Sequence, residues 1–248
     1  MRVPKSALRM SSIKQFAIIA AGEGSRLTQE GIALPKPLVA LHGEPMIDRL
    51  VRIFIANGAD HIIVIANPQQ QQTAPHLQLL AKRYPACKFD IVAKTTPSSM
   101  HSFEVIADYL DDAPFCLTTV DTIFAEADFK AYLDYCNKQS SADGVMAVTD
   151  YIDDEKPLYI DIDEQGNILD FCDEQGRCTH ISGGIYMLKP QALSTLHRCI
   201  NEGQHRMRNY QRGLIADGLQ LKAFKFSKIL DVDHASDIAK AEDFLAIQ

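Results

Sequence analysis

Residues 16–38, FAIIAAGEGSRLTQEGIALPKPL, decide the fold and point to the chemistry of this 248-residue chain. The stretch begins with a continuous apolar run, residues 16–21, which is typical of a parallel strand buried on both faces. Ligands of open α/β sheets bind at the carboxyl edge, where the loop after such a strand lies. Gly22 and Gly24 lack a Cβ atom, so their backbone can turn sharply and bring N–H groups against phosphate oxygens. The sequence therefore predicts a phosphate-binding loop directly after the first strand.

Two cations follow this loop, Arg26 and Lys36. The prolines on either side of Lys36 restrict the chain, so the lysine is held in position instead of moving freely in solvent. Two better-known phosphate loops are excluded. The dinucleotide fingerprint needs a third glycine where this chain has Leu27, and the P-loop needs Gly-Lys-Ser/Thr, which does not occur. A Gly-x-Gly turn alone would be weak evidence, but together with the two cations it favours phosphate binding over a structural turn.

Three motifs carry a resemblance to a known family: AAGEGSRL at residues 20–27, PKPL at 35–38 and GEPMI at 43–47. Together they resemble the signature of sugar-phosphate nucleotidyltransferases, also called nucleotide-sugar pyrophosphorylases. The resemblance implies catalytic roles for Arg26 and Lys36. The family usually has lysine or arginine where this chain has Glu44, so one anion contact of the family is in question. The nucleotide-binding residues that the resemblance implies in the first loop are Ala20, Ala21, Gly22, Gly24, Ser25 and Arg26.

Bulk properties exclude several classes of protein. The chain is long enough for one large α/β domain, and its 46% hydrophobic and 23% charged residues argue against disorder. A formal net charge of −7 argues against nucleic-acid binding, and no run of about 20 apolar residues is present to span a membrane. Six cysteines without a CxxC pair predict reduced thiols in a cytoplasmic protein. The sequence is also compatible with a homo-oligomer.

Apolar strands alternate with amphipathic helices up to residue 143, which predicts a doubly wound, mainly parallel sheet of α/β class. After Gly144 the pattern becomes β-rich, and two DEQG segments, at residues 163–167 and 173–177, are predicted to be hairpin turns. We expect a mobile tail over residues 1–14, with an over-long start and Met10 as the alternative. Residues 15–248 are expected to form a single Rossmann-like domain, with a nucleotide-binding half over 15–143 and a β-rich acceptor-binding half over 144–248.

Acidic residues supply the second part of the predicted site. Asp121 ends an apolar run and is followed by Thr122-Ile123-Phe124, so it reaches the same sheet edge as the glycine loop. By residue type alone Asp121 could equally be a turn former. The family resemblance implies that Asp121 binds Mg²⁺ and that Asp231 is the second ligand. Strand alternation would point Asp231 and Asp233 to opposite faces, so we expect one of them at the metal and prefer Asp231, while the other caps the next helix.

Recognition of the base and of the acceptor is less defined by the sequence. Ser98 and Ser99 lie where the family reads the nucleotide base, but either serine could simply cap the following helix. Ser182-Gly183-Gly184 resembles a family segment, usually with asparagine in place of Ser182, that lines the acceptor pocket, and we assign Gly184 to acceptor binding. These departures leave open which base and which phosphorylated acceptor are used.

The expected reaction is Mg²⁺-dependent transfer of a nucleoside monophosphate from a nucleoside triphosphate to a sugar 1-phosphate, with release of pyrophosphate. The second pKa of a phosphate monoester is near ~6, so the nucleophile is already ionised and no histidine base is needed. Two alternatives remain at this point. One is a cytidylyltransferase for a small phospho-alcohol such as phosphocholine, and the other is a catalytically silent nucleotide-binding regulatory protein.

Overall fold

The apolar run after residue 15 forms the central strand of a nine-stranded mixed sheet in the computed structural model, which describes residues 13–247. This strand, β1, pairs in parallel with β4 on one side and β6 on the other. The sheet strands are β1 (Gln15–Ala20), β4 (His61–Ala66), β5 (Lys88–Ala93), β6 (Phe115–Thr119), β8 (Gly144–Thr149), β9 (Tyr159–Ile162), β10 (Ile168–Cys172), β11 (His180–Leu188) and β12 (Leu221–Lys225). The predicted mainly parallel α/β sheet is confirmed.

Helices cover both faces of the sheet. Side chains of β1 alternate between two cores, since Phe16 and Ile18 face one cluster while Ala17 and Ile19 face the other. All six residues of β1 are buried, as the continuous apolar run predicted. The helices are α1 (Ser25–Gln29), α2 (Met46–Ala56), α3 (Thr73–Arg83), α4 (Ser99–Ala107), α5 (Glu126–Cys136), α6 (Ala192–Asn201), α7 (Met207–Ala216) and α8 (Ala235–Leu245).

Two small two-stranded sheets lie beside the main one and shape its carboxyl edge. β2 (Ala40–Leu41) pairs with β3 (Glu44–Pro45), and β7 (Thr122–Phe124) pairs antiparallel with β13 (Ile229–Asp231). A third apolar cluster, which includes Leu27, Ile123 and Leu230, joins these small sheets to α8. This cluster attaches the end of the chain to the phosphate loop and to the turn after β6.

The β-rich half differs from the sequence prediction at two points. The first DEQG turn does join paired strands, because β9 and β10 are antiparallel neighbours. The second does not form a hairpin, since β11 pairs with β6, β8 and β9 but not with β10. Helix α7 was not predicted at all: it carries Arg208, Gln211 and Arg212 on a mainly polar sequence, and only a few of its residues are buried.

The predicted N-terminal tail falls mostly outside the described residues, as do residues 1–12 and Gln248. Ile13 is only 4% exposed, and Lys14 Nζ donates to the Gly58 carbonyl at 2.8 Å, so these two residues belong to the folded body. Strands from both predicted halves share the nine-stranded sheet. Within residues 13–247, no helix has the length and apolar character needed to cross a bilayer.

The hydroxyl of Tyr132 on α5 joins two strands of the β-rich half. It donates to the Val145 carbonyl of β8 at 2.7 Å and accepts from the Met187 N–H of β11 at 2.6 Å, and the side chain is fully buried. Tyr132→Phe is expected to destabilise the protein by about 1–3 kcal/mol, because the Met187 N–H and Val145 carbonyl lose their shared partner inside the core. Thermal melting measures this, and Tyr135→Phe on the same helix serves as the control. Equal melting temperatures for the two variants would contradict the bridging role.

Candidate active site

The predicted phosphate loop lies at the carboxyl edge of β1, where it turns into the short helix α1. Gly24 has φ +64°, a left-handed conformation that residues with a side chain rarely adopt. A Cβ atom on Gly24 would lie 3.1 Å from the Cβ of Lys36. Glycine at this position therefore lets the loop and the lysine segment, a 3₁₀ turn over Lys36–Leu38, pack closely.

A cavity of about 470 Å³ opens in front of this loop. It contains every residue that the sequence assigned to nucleotide binding, and it also contains Lys36 and Asp121. Sequence reasoning missed three hydroxyl side chains of the wall, although their positions beside Ser98 and Asp121 gave a signal. Those additional residues are Thr96, Ser102 and Thr119.

An ion-pair cluster closes the inner end of the cavity. Lys36 Nζ contacts the carboxylate of Asp121 and lies 2.6 Å from Asp233 Oδ1, while Arg26 Nη1 lies 3.1 Å from Asp233 Oδ2. The Lys36 side chain is only 10% exposed. Burial alone would lower the pKa of Lys36, but the charges of Asp121 and Asp233 outweigh burial and raise it above its ordinary value. Lys36 is therefore charged at neutral pH and held at a fixed point.

Asp121 and Asp231 meet across the small sheet of β7 and β13. Asp231 is opposite Thr122 in the register, and the Val232 N–H donates to the Asp121 carbonyl at 3.1 Å. Solvent reaches Asp231 from a cavity, yet burial against the protein and the charges of Asp121 and Asp233 raise its pKa well above the ordinary value. Asp231 is the carboxylate of this cluster whose charge is least compensated.

The structure corrects the alternation argument for Asp231 and Asp233. β13 ends at Asp231, so Asp233 lies beyond the strand and the period of two does not extend to it. Both side chains line the same second cavity, and Asp233 lines the first cavity as well. The cap of α8 comes from His234 and Asp237 rather than from Asp233. The sequence did not predict the contacts of Asp233 with Lys36 and Arg26.

The second cavity, about 450 Å³, adjoins the first and shares Arg26 and Asp233 with it. Ser182 and Gly183 of β11 line this cavity, but Gly184 is not among its lining residues. Gly184 has φ +73°, and a Cβ atom there would lie 3.2 Å from Thr122 Oγ1, so its backbone packs under the turn that carries Asp121. Six acidic and four basic side chains line the cavity: Asp153, Asp154, Glu155, Asp231, Asp233 and Asp237 against Arg26, Lys156, Arg208 and Lys240.

Three departures from the family signature have local structural explanations. Glu44 forms a bidentate pair with Arg52 at 2.8 and 3.0 Å and does not line either cavity of the site. Ser98 caps α4, because its Oγ accepts the His101 N–H, and it lines the nucleotide cavity at the same time. Ser182 donates to Gln211 Oε1 at 2.8 Å, which ties β11 to α7.

Gly183 allows β13 to approach β11 closely. A Cβ atom on Gly183 would lie 2.2 Å from Ile229 Cδ1 and 3.2 Å from the Ala147 carbonyl oxygen. Gly183→Ala is therefore expected to destabilise the protein by about 1–3 kcal/mol through overpacking, measured by thermal melting. Adding Ile229→Val removes the clashing methyl group and should restore most of the lost stability. A double variant as unstable as the single one would show that this clash is not the cause.

Comparison with known proteins agrees with this geometry. The family model described as "Nucleotidyl transferase" matches residues 16–247. The chain belongs to the nucleotidyl transferase family. Mannose-1-phosphate guanyltransferase of Schizosaccharomyces pombe is 26% identical over 187 residues, which cover 72% of this chain and 50% of that protein. The chain thus spans about half the length of this relative.

Two further nucleotidyl transferase comparisons cover most of the chain. The "Bifunctional IPC transferase and DIPP synthase" of Rubrobacter xylanophilus is 24% identical over 241 residues, which cover 92% of this chain and 51% of that protein. The solved structure of the inositol-1-phosphate CTP transferase from T. maritima superposes with a TM-score of 0.80 at 15% identity, covering 95% of this chain and 96% of that chain. The structural likeness confirms the predicted fold.

Proposed function

We propose that this protein transfers a nucleoside monophosphate from a nucleoside triphosphate to a sugar 1-phosphate, in Mg²⁺-dependent synthesis of a nucleotide sugar. The observation that carries the proposal is the junction of two cavities at Arg26 and Asp233, beside Lys36 and Asp121. One cavity has the glycine loop expected for a triphosphate. The other is a separate space of about 450 Å³ in which a phosphorylated acceptor would meet the α-phosphate.

In the proposed reaction a phosphate oxygen of the acceptor attacks the α-phosphorus and the bond to the β-phosphate breaks. A new phosphoanhydride forms and pyrophosphate leaves with the bonding electron pair. The acceptor phosphate has a second pKa near ~6, so it needs no general base at neutral pH. The protein's task is to hold two anions together. Lys36 would bind the α-phosphate and the incoming phosphate, and Arg26 would hold the leaving pyrophosphate.

The carboxylates fit a magnesium ion that is completed by substrate. In the part of the chain that the structure describes, no three His, Cys, Asp or Glu side chains form a ready metal cage. Mg²⁺ commonly uses only one or two protein carboxylates, with waters and substrate phosphates as its other ligands. Asp121 and Asp231 would hold the ion, which would neutralise the charge that develops on the phosphates. Asp231, crowded by like charges, is the group that a cation would relieve most.

A second candidate is a cytidylyltransferase for a small phospho-alcohol. The acidic excess in the acceptor cavity supports it, because six carboxylates face four basic side chains there. Such a lining suits an acceptor whose part away from the phosphate is neutral or cationic. The names of the two relatives with the widest coverage add support, since the solved structure is titled as an inositol-1-phosphate CTP transferase.

A pyrophosphate-release assay over a matrix of substrates tests these proposals. GTP, UTP, TTP and CTP would each be paired with mannose 1-phosphate, glucose 1-phosphate, inositol 1-phosphate and phosphocholine, with and without EDTA. We expect one sugar 1-phosphate pair to release pyrophosphate only when Mg²⁺ is present. Release confined to CTP with a phospho-alcohol would establish the second candidate instead. Nucleotide binding without release from any pair would establish the silent regulatory protein.

A further inference from the structure

The side chain of Gln70 contacts the phosphate loop from the opposite side to the cavity. Its Nε2 donates to the Gly22 carbonyl at 3.0 Å and to the Glu23 carbonyl at 3.1 Å. Gln70 lies in the turn between β4 and α3, 48 residues beyond Gly22. A single amide thus fixes two consecutive carbonyl groups of the loop.

Peptide geometry converts these contacts into an orientation of the loop amides. In a planar trans peptide, the carbonyl of one residue and the N–H of the next point in opposite directions. With the carbonyls of Gly22 and Glu23 held by Gln70, the N–H groups of Glu23 and Gly24 must point away from Gln70. These residues line the nucleotide cavity while Gln70 does not, so both amides face the cavity. Among residues 13–247, neither N–H has a protein acceptor.

The Gln70 side chain has only one acceptable orientation. Reversing its amide would place Oε1 against two carbonyl oxygens, so Nε2 must face the loop. In this orientation Oε1 is buried and lacks a hydrogen-bond donor among the described residues. A buried oxygen without a partner is unfavourable, and the fold retains it to keep both carbonyls bound. The turn itself is fixed, because Gln70 N–H donates to the Asn67 carbonyl and its carbonyl accepts from Thr73 N–H.

We propose that Gln70 is a positioning residue for triphosphate binding: it orients the N–H groups of Glu23 and Gly24 toward the phosphates. This inference rests on the proposed function, in which that cavity receives the nucleotide. Gln70 itself does not touch the substrate. Its loss should therefore weaken interactions with the phosphate chain and leave the contacts with the base and ribose unchanged.

The test compares Gln70→Leu and Gln70→Glu with Gln71→Leu, a control at the exposed neighbour. Gln70→Glu keeps the size of the side chain but places an oxygen against the two carbonyls. Dissociation constants for a triphosphate and its monophosphate are measured by titration, using the nucleotide that the wild type binds best. We expect both Gln70 variants to bind triphosphate about tenfold to a hundredfold more weakly, as loss of two hydrogen bonds implies. Monophosphate affinity and the control variant should match the wild type.

The outcomes separate this inference from the proposed function. If the wild type binds no nucleotide, the proposed function fails and the inference fails with it. If the wild type binds triphosphate and Gln70→Leu binds it equally well, only the inference is overturned. A merely structural role for Gln70 would lower the melting temperature and weaken triphosphate and monophosphate alike, which would also overturn it. Where turnover is measurable, the inference predicts a raised KM for the triphosphate with a smaller change in kcat.

Discussion

Turnover of the Lys36→Ala variant is expected to fall about a hundredfold to a thousandfold, the usual cost of removing one preorganised charge from a reacting centre. Lys36 is buried, charged and held by two carboxylates at the junction of the cavities. Arg26 cannot replace it, because its guanidinium already pairs with Asp233. The measurement is kcat from pyrophosphate release at saturating substrates. Unchanged kcat would remove Lys36 from the proposed mechanism.

Two further variants separate charge from fold. Lys130→Ala removes an exposed lysine that pairs with Asp134 on α5, and it should leave kcat unchanged. Lys36→Arg keeps the charge but replaces a compact ammonium with a larger planar group, so we expect only partial recovery. The melting temperature of Lys36→Ala should fall in EDTA, since Asp121 and Asp233 lose the cation they share, and Mg²⁺ should restore part of it.

The Asp231→Asn variant is expected to change stability and activity in opposite directions. Without metal, Asn removes one negative charge from a site that Asp121 and Asp233 already crowd, so the melting temperature in EDTA should rise. With Mg²⁺, turnover should fall at least about a hundredfold, because a metal ligand supplies several kcal/mol of transition-state stabilisation. The variant should also lose the rise in melting temperature that Mg²⁺ gives the wild type. Full Mg²⁺-dependent turnover would contradict the assignment of Asp231 as a ligand.

The raised pKa of Asp231 fixes the sign of a pH dependence in the metal-free protein. The folded state holds this proton more tightly than the unfolded chain does. The free energy of unfolding therefore decreases as pH rises from the ordinary aspartate pKa, about 4, toward the raised folded value. Asp231→Asn should lack this part of the decrease, which melting in EDTA between pH 4 and pH 8 would measure. Asp233→Asn is the control: it breaks pairs with Lys36 and Arg26, so it should lower the melting temperature.

Local signals in the sequence predicted the fold and most of the nucleotide cavity. Residues 16–21 and 61–66 are apolar without interruption, and both form parallel strands buried on two faces. The loop residues follow the first strand directly, so the sheet edge brings them to the cavity without help from distant contacts. Lys36 could be placed because two prolines restrict its segment.

The features that the sequence did not predict depend on contacts between distant segments. Asp233 meets Lys36 across 197 residues, and no periodic pattern reports such a pair. Helix α7 was missed because its sequence is mainly polar and its few buried residues pack against elements far along the chain. Gly184 was assigned to the acceptor pocket from its motif, although the close approach to Thr122 depends on the sheet register. Gln70 gave no signal, because its partners are backbone carbonyls.

The pairing of β7 with β13 also affects the order in which the protein can assemble. Residues 122–124 and 229–231 are neighbours in space but lie more than 100 positions apart in the chain. During synthesis the glycine loop, β4 and β6 can associate early, since their contacts are closer in sequence. The acidic half of the site must wait until residue 233 has left the ribosome, and closing so long a loop is slow. A nascent chain stopped before β13 would therefore present the glycine loop and Lys36 while lacking Asp231 and Asp233.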